Sequence, residues 1–141
     1  MNTPQTTQPA LEDIKVSLKL KLAMLWTSFM FLYIYVDHFH LYMPGALADM
    51  QAGRVFKFEI TQGFLLTALA SVTIPALMIF LSVGLPARAS RWTNIIVGAV
   101  YIPFTLFNLA GETWMHMVFG AVIEVVLLCL IIRYAWKWPR S

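Results

Sequence analysis

The sequence predicts an all-α integral membrane protein, a four-helix bundle crossing the bilayer in up-down-up-down order with both termini in the cytoplasm. Of the 141 residues, 60% are hydrophobic and only 12% are charged, about half of the charged share of a soluble domain. Four segments stay apolar over the roughly 20 residues that a membrane-spanning helix needs. Lysines and arginines concentrate between and beyond these segments, where they determine orientation.

The N-terminal part of the chain precedes the first apolar segment. Residues 1–10 are polar and without periodicity, which predicts a disordered tail. From Leu11 onward, apolar residues recur at helical spacing among acidic residues and lysines. This pattern predicts a short amphipathic helix at the membrane interface. Residues 11–138 then form one four-span transmembrane domain.

The four predicted spans are separated by turn signals and polar residues. Pro44-Gly45 ends the first span, and a polar loop covers 45–60. Pro75 lies in the middle of the second span and leaves a carbonyl one turn earlier without its usual partner. The hydroxyl of Ser71 is a candidate partner for that group. The predicted spans cover about residues 20–43, 60–83, 92–110 and 114–132.

The distribution of Lys and Arg predicts the orientation of the bundle. Eight lie on the side of the two termini and two on the other: Lys15, Lys19, Lys21, Arg88, Arg91, Arg133, Lys137 and Arg140 against Arg54 and Lys57. The positive-inside rule places both termini in the cytoplasm, here across the inner (plasma) membrane. Scattered basic residues exclude a nucleic-acid footprint. Arg88, Arg91 and Trp92 are expected to set topology and to contact lipid headgroups, with the bilayer as partner.

Polar residues within the predicted spans indicate a polar interior. Asp37 shares a helix face with Tyr33 near the outer end of the first span. Glu124 lies about 15 Å into the fourth span, near the bilayer midplane. Gly98 and Gly120 are expected to let helices approach closely. Convergence of these polar stripes would form an outward-facing cavity. The candidate site for a small ligand, proton or cation comprises Asp37, His40, Tyr101, Asn108, His116 and Glu124.

The two acids suggest a function because no Lys or Arg lies within a span to neutralise Asp37 or Glu124. Such a carboxyl group can shuttle a proton, coordinate a cation, or remain protonated and hydrogen-bond another helix. The leading hypothesis is a non-enzymatic membrane protein that binds or conducts a small ligand, proton or cation. Four short spans make a thin wall, so a transport role predicts a homo-oligomer.

Two alternatives stay open. A metal- or quinone-linked membrane oxidoreductase would use the outer face, where weak metal candidates are His38, His40, His116 and Glu59. Their spacing is no metal motif, because residues two apart on a helix face different ways, and no cofactor is expected. In an accessory subunit of a larger membrane complex, the polar side chains of these stripes would find their hydrogen-bond partners on another protein. The absence of a nucleophile triad, phosphate loop or nucleotide fingerprint favours a non-enzyme.

Several elements resemble a family of small bacterial four-helix membrane proteins catalogued only as a domain of unknown function. They are the turn Leu85-Pro86-x-Arg88-x-x-Arg91-Trp92-x-Asn94, with Leu25-Trp26, Tyr35-x-Asp37 and Ile123-Glu124. The resemblance covers about residues 20–135 and implies an inner-membrane protein without assigning an activity. It singles out Asp37, Arg88, Arg91, Trp92, Asn94 and Glu124, whereas His38 and His40 are outside its pattern. The number and length of spans are also similar to the DoxX-like group.

Overall fold

The protein is mainly helical in the computed structural model, which describes residues 9–111 and 114–140. The helices are α1 (Leu18–His40), α2 (Ala46–Gln51), α3 (Gln62–Gly84), α4 (Ala87–Leu109) and α5 (Met115–Trp136). A short antiparallel hairpin, β1 (Arg54–Val55) and β2 (Phe58–Glu59), lies between α2 and α3. By length and composition α1, α3, α4 and α5 can each cross a membrane, which confirms the predicted all-helical class with four candidate spans.

The four long helices enclose a common apolar core. Helix α1 packs against α3 and α5, and α4 packs against the same two helices. The rings of Trp26 and Phe29 meet edge-to-face at 5.7 Å, and Phe29 meets Tyr101 of α4 in the same way at 6.3 Å. Large apolar side chains also cover much of the outer surface, as expected of helices that can span a membrane. The core consists of Leu22, Trp26, Phe29, Met78, Tyr101, Leu128, Ile131 and Ala135.

A buried polar network joins three helices around Asn94 of α4. Its Oδ1 accepts hydrogen bonds from Trp26 Nε1 of α1 at 2.7 Å and from Ser82 Oγ of α3 at 3.1 Å. Its Nδ2 donates to the carbonyl oxygen of Ser90 at 2.7 Å, and Ser90 Oγ donates to the carbonyl oxygen of Ser82 at 2.9 Å. All four residues are fully buried. A buried amide is costly unless paired, so the network fixes how α1, α3 and α4 face one another.

Cationic side chains cap helix C-termini at the same end of the bundle. Lys19 Nζ of α1 donates to the carbonyl oxygen of Leu85, just beyond α3, at 2.6 Å. Arg91 Nε of α4 donates to the carbonyl oxygen of Ala135, in the last turn of α5, at 3.1 Å. Carbonyl groups at a helix C-terminus lack the amide donors of a following helical turn, and a positive charge is favourable there. The starts of α1 and α4 therefore lie beside the ends of α3 and α5.

Pro75 lies inside α3 without ending the helix. Proline cannot donate to the carbonyl group four residues earlier, which is that of Ser71. The hydroxyl of Tyr101 from α4 donates to this carbonyl oxygen instead. The Ser71 hydroxyl, expected from the sequence to help, donates to the carbonyl oxygen of Ala68 at 2.7 Å. A neighbouring helix thus supplies the partner that proline removes.

Some predictions for the segments outside the spans were wrong. Residues 9–17 are not helical, and Leu11 and Ile14 are exposed. The predicted amphipathic helix lacks bundle surface to pack on, and so short a helix is marginal by itself. The loop predicted for 45–60 contains α2 and the β1–β2 hairpin. Residues 1–8 of the predicted tail and 112–113 of the last turn lie outside the described residues.

The Tyr101–Ser71 hydrogen bond leads to a prediction about stability. We expect Tyr101→Phe to lower the free energy of unfolding by about 1–3 kcal/mol, because the Ser71 carbonyl group then loses its donor. In a Pro75→Ala background, a backbone N–H at position 75 can donate to that carbonyl group. The same tyrosine substitution should therefore cost less there, as measured by denaturant unfolding of purified protein in micelles. Equal costs in the two backgrounds would contradict this account.

Candidate functional site

Five polar residues of α1, α4 and α5 lie near one another on these three helices. Asp37 and Glu124 are close enough for their charges to interact. Tyr33 lies within electrostatic range of both acids and of Tyr101. The hydroxyl oxygen of Tyr33 accepts a hydrogen bond from Asn108 Nδ2 at 3.3 Å. We call Tyr33, Asp37, Tyr101, Asn108 and Glu124 the carboxyl cluster.

The two acids of the carboxyl cluster differ in exposure. Glu124, in the middle of α5, is only 5% exposed, whereas Asp37, in the last turn of α1, is exposed. Within the described part of the chain, no positively charged side chain acts on either carboxyl group. The cluster therefore combines two acids, two phenolic hydroxyls and an amide without a cationic partner.

Two glycines set the spacing of the helices that carry the acids. A Cβ atom at Gly120 of α5 would lie 2.5 Å from Val36 Cγ2 of α1. A Cβ atom at Gly98 of α4 would lie 3.0 Å from Ile132 Cγ1 of α5. The expected close approaches at both glycines are therefore confirmed. Glu124 lies one turn beyond Gly120, so the tight α1–α5 crossing holds the two acids near each other.

His40 and His116 were predicted in the candidate site, and the structure places them elsewhere. His40 is the last residue of α1; its Nδ1 lies 3.2 Å from Met43 Sδ, and its ring stacks on Phe56 with centroids 4.3 Å apart. His116 packs edge-on against Trp114. Its buried Nε2 has no hydrogen-bond partner among the described residues. The carboxyl cluster thus takes four of the six predicted residues.

The weak metal candidates do not assemble into a centre. Within the ranges that the structure describes, no three His, Cys, Asp or Glu side chains group closely enough to hold a metal ion. His38 packs against the rings of Phe39 and Tyr42. Glu59 lies in β2, opposite Arg54 of β1. The candidate imidazole and carboxylate groups belong to different structural elements, which keeps them apart.

The basic turn has a structural role beyond the predicted headgroup contacts. Arg88 is exposed, and Trp92 is 44% exposed, positions from which both can reach a lipid surface. Arg91 instead caps α5, and its guanidinium group lies over the rings of Trp92 and Trp136 at 5.0 and 5.7 Å. Headgroup binding by this turn stays a prediction.

Comparison with known proteins places the chain in a family. Residues 13–141 match the profile described as "Family of unknown function (DUF6326)". The chain belongs to this family. The match confirms the resemblance to an uncharacterised family that was drawn from the basic turn and the two acids. No curated protein and no solved structure matches the chain.

Two polar residues of this DUF6326 protein were left out of the predicted site. Tyr33 lies four residues before Asp37, and this helical spacing is the sequence feature that could have identified it as a site residue. Thr105 lies on the α4 stripe between Tyr101 and Asn108; it is 2% exposed. Its Oγ1 is buried without a hydrogen-bond partner in the described part of the chain. A hydroxyl group within an apolar span is easily assigned a packing role alone, so helical spacing did not single out Thr105 as a site residue.

The α1–α5 crossing leads to a second prediction. We expect Gly120→Ala to destabilise the protein by about 1–3 kcal/mol, because the added methyl group overlaps Val36. Val36→Ala removes the overlapping methyl group, so the double variant should be as stable as Val36→Ala alone. Gly63→Ala is the matched control, since the nearest atom to a Cβ there, Thr61 Oγ1, is 3.8 Å away. Additive losses in the double variant would refute the close approach.

Proposed function

We propose that this DUF6326 protein is a multi-pass inner-membrane protein that binds or conducts a proton or small cation at the carboxyl cluster. The observation that carries the proposal is the tight crossing at Val36 and Gly120, which brings Asp37 and Glu124 near each other with no positively charged partner among the described residues. The pair lies on α1 and α5, two of the four helices that are long and apolar enough to span a membrane. Intramembrane acids in such surroundings are costly and typically functional.

The donor atoms of the carboxyl cluster favour a hard positive ion over other ligands. Carboxylate, phenolic and amide oxygens are what hard cations take as ligands. Carboxyl and hydroxyl groups in sequence can also pass a proton. Two negative charges close together in an apolar interior repel each other, so binding one positive charge lowers their energy. A proton and a small monovalent cation both meet this requirement.

The exposure of the two acids supports a direction of entry. Asp37 is exposed in the last turn of α1, and Glu124 is buried in the middle of α5. In the proposed up-down-up-down bundle with cytoplasmic termini, the end of α1 faces the outside. Asp37 is then the outer acid and Glu124 the inner one. A homo-oligomer would complete the wall around this path, since the four helices of one chain enclose little space.

Infrared difference spectroscopy tests the carboxyl cluster directly. We expect wild-type protein to show carboxyl bands that titrate and that shift on adding a cation, because Asp37 connects Glu124 to solvent. Asp37→Asn and Glu124→Gln should each remove one band and change the titration of the other, because the two charges interact. Glu59→Gln, in the β1–β2 hairpin, is the control and should change neither band.

The contrary spectroscopic outcome has a definite meaning. Carboxyl bands that remain those of the protonated form across the whole pH range, and that do not shift on adding a cation, would show that the acids make hydrogen bonds between helices without access to solvent. That result would reject the binding and conduction proposal and favour an accessory subunit of a membrane complex.

Cysteine labelling tests the proposed orientation. In a Cys129→Ser background, Gln51→Cys should react with a membrane-impermeant maleimide in intact cells, because α2 is proposed to lie outside. Ala10→Cys and Ala89→Cys should react only after permeabilisation, because both positions lie on the basic side. All three parent residues are exposed, so burial does not limit the reaction. The inverse labelling pattern would show that the orientation is the opposite of the proposed one, with Glu124 closer to the outside than Asp37.

A further inference from the structure

Thr105 of α4 has a buried hydroxyl group that the protein itself does not pair. The residue is 2% exposed, and its Oγ1 has no hydrogen-bond partner among the described residues. Each of the other threonines within the described helices donates to the carbonyl oxygen four residues earlier, at 2.7 or 2.8 Å. They are Thr27, Thr67, Thr73 and Thr93. Thr105 departs from this arrangement, so its hydroxyl group is not committed to its own helix.

Thr105 lies at the same height in the bundle as Glu124 of α5. The start of α4 contacts the end of α5, so the two helices are antiparallel. They meet at Gly98, where a Cβ atom would lie 3.0 Å from Ile132 Cγ1. Seven residues further along α4, and seven back along α5, the same register sets Thr105 opposite Val125. Val125 is the neighbour of Glu124 in the chain.

Tyr33 of α1 also lies at this height. Helices α1 and α5 are antiparallel and cross where Val36 approaches Gly120. Glu124 is four residues after Gly120, and Tyr33 is three residues before Val36, so both lie about one helical turn from the crossing on the same side. From the threonine face of α4, Asn108 reaches the Tyr33 hydroxyl oxygen at 3.3 Å. A hydroxyl, a phenol and a carboxyl group from three helices therefore share one layer of the bundle.

We propose that Thr105 holds a water molecule beside Glu124 and that this water passes protons between Glu124 and Asp37. This role of Thr105 rests on the proposed function of the carboxyl cluster and assigns the proton as the ion that the cluster takes. A proton is transferred between groups within hydrogen-bond reach, directly or through one water. Asp37 lies four residues, or about 6 Å along the helix axis, beyond the layer of Tyr33 and Glu124. Two hydrogen bonds through one water span about 5.5 Å.

The unpaired hydroxyl group of Thr105 favours a water over a metal cation. A hydroxyl group has one proton to donate and two lone pairs that accept. A cation would bind a lone pair and leave the buried proton unpaired, which is costly. A water accepts that proton and donates its own to carboxylate oxygens. Buried waters typically make about three hydrogen bonds, and Thr105, Glu124 and Asp37 provide this number of partners.

The proton transfer leaves the water unchanged. The protonated carboxyl group of Asp37 gives its proton to the water oxygen, while the water gives one of its own protons to the carboxylate of Glu124. One O–H bond breaks at Asp37, one forms and one breaks at the water, and one forms at Glu124. The negative charge thereby moves from Glu124 to Asp37, and the reverse step returns it.

Infrared spectroscopy in isotopically labelled water tests this role of Thr105. Purified protein in micelles is titrated through the range in which the Glu124 carboxyl band changes, in ordinary water and in water labelled with the heavy oxygen isotope. We expect a water O–H band that changes together with the Glu124 band and shifts with the isotope. Thr105→Val removes the hydroxyl group and keeps the branched shape. It should lose the water band and slow deuterium exchange of the Glu124 carboxyl group at least about tenfold, whereas Thr105→Ser should retain both.

Thr93→Val is the matched control, because the Thr93 hydroxyl already donates to the Ala89 carbonyl oxygen within α4. Its water band and its exchange rate should equal those of the wild type.

Three outcomes would overturn the proposal. They are an exchange rate in Thr105→Val equal to that of the wild type, a wild-type spectrum without an isotope-sensitive water band, and a sodium-induced shift of the Glu124 band that Thr105→Val abolishes. The last would make the hydroxyl group a cation ligand. The wild-type spectrum decides the matter even if Thr105→Val does not fold. In each case a Glu124 band that still titrates leaves the proposed function standing, whereas a band that does not titrate rejects that function itself.

Discussion

The orientation of α1 and α4 depends on one buried amide, that of Asn94. Apolar side chains gain little by leaving lipid for a helix interface, so hydrogen bonds and close packing must specify how membrane helices face each other. The Trp26–Asn94 bond provides that specification. Tyr33 and Asp37 follow Trp26 by seven and eleven residues, within about 20° of its helix face at 100° per residue. Tyr101 and Thr105 follow Asn94 by the same steps. The network at one end of the bundle therefore points the carboxyl-cluster residues of both helices toward each other at the other end.

The hydrogen bonds of the two tyrosines divide their roles in the carboxyl cluster. Tyr101 has one hydroxyl proton, and it is used on the Ser71 carbonyl group that Pro75 leaves without a donor. Within the cluster, Tyr101 can then only accept. The oxygen of Tyr33 accepts from Asn108, which leaves its proton free for a carboxylate. Of the two phenolic protons, only that of Tyr33 is left for a cluster partner, because proline in α3 commits the Tyr101 proton to the Ser71 carbonyl group.

Features that depend on helical periodicity could be predicted from the sequence, whereas features that depend on loop conformation could not. The spans followed from apolar length, and the shared face of Tyr33 and Asp37 followed from spacing four residues apart. His40 lies on the same periodic face, yet α1 ends there, so its ring turns toward Phe56 in the β1–β2 connection. No periodic pattern encodes a left-handed residue at that position. Leu11 and Ile14 show the opposite failure: helical spacing is present, but the bundle offers these side chains no surface to contact.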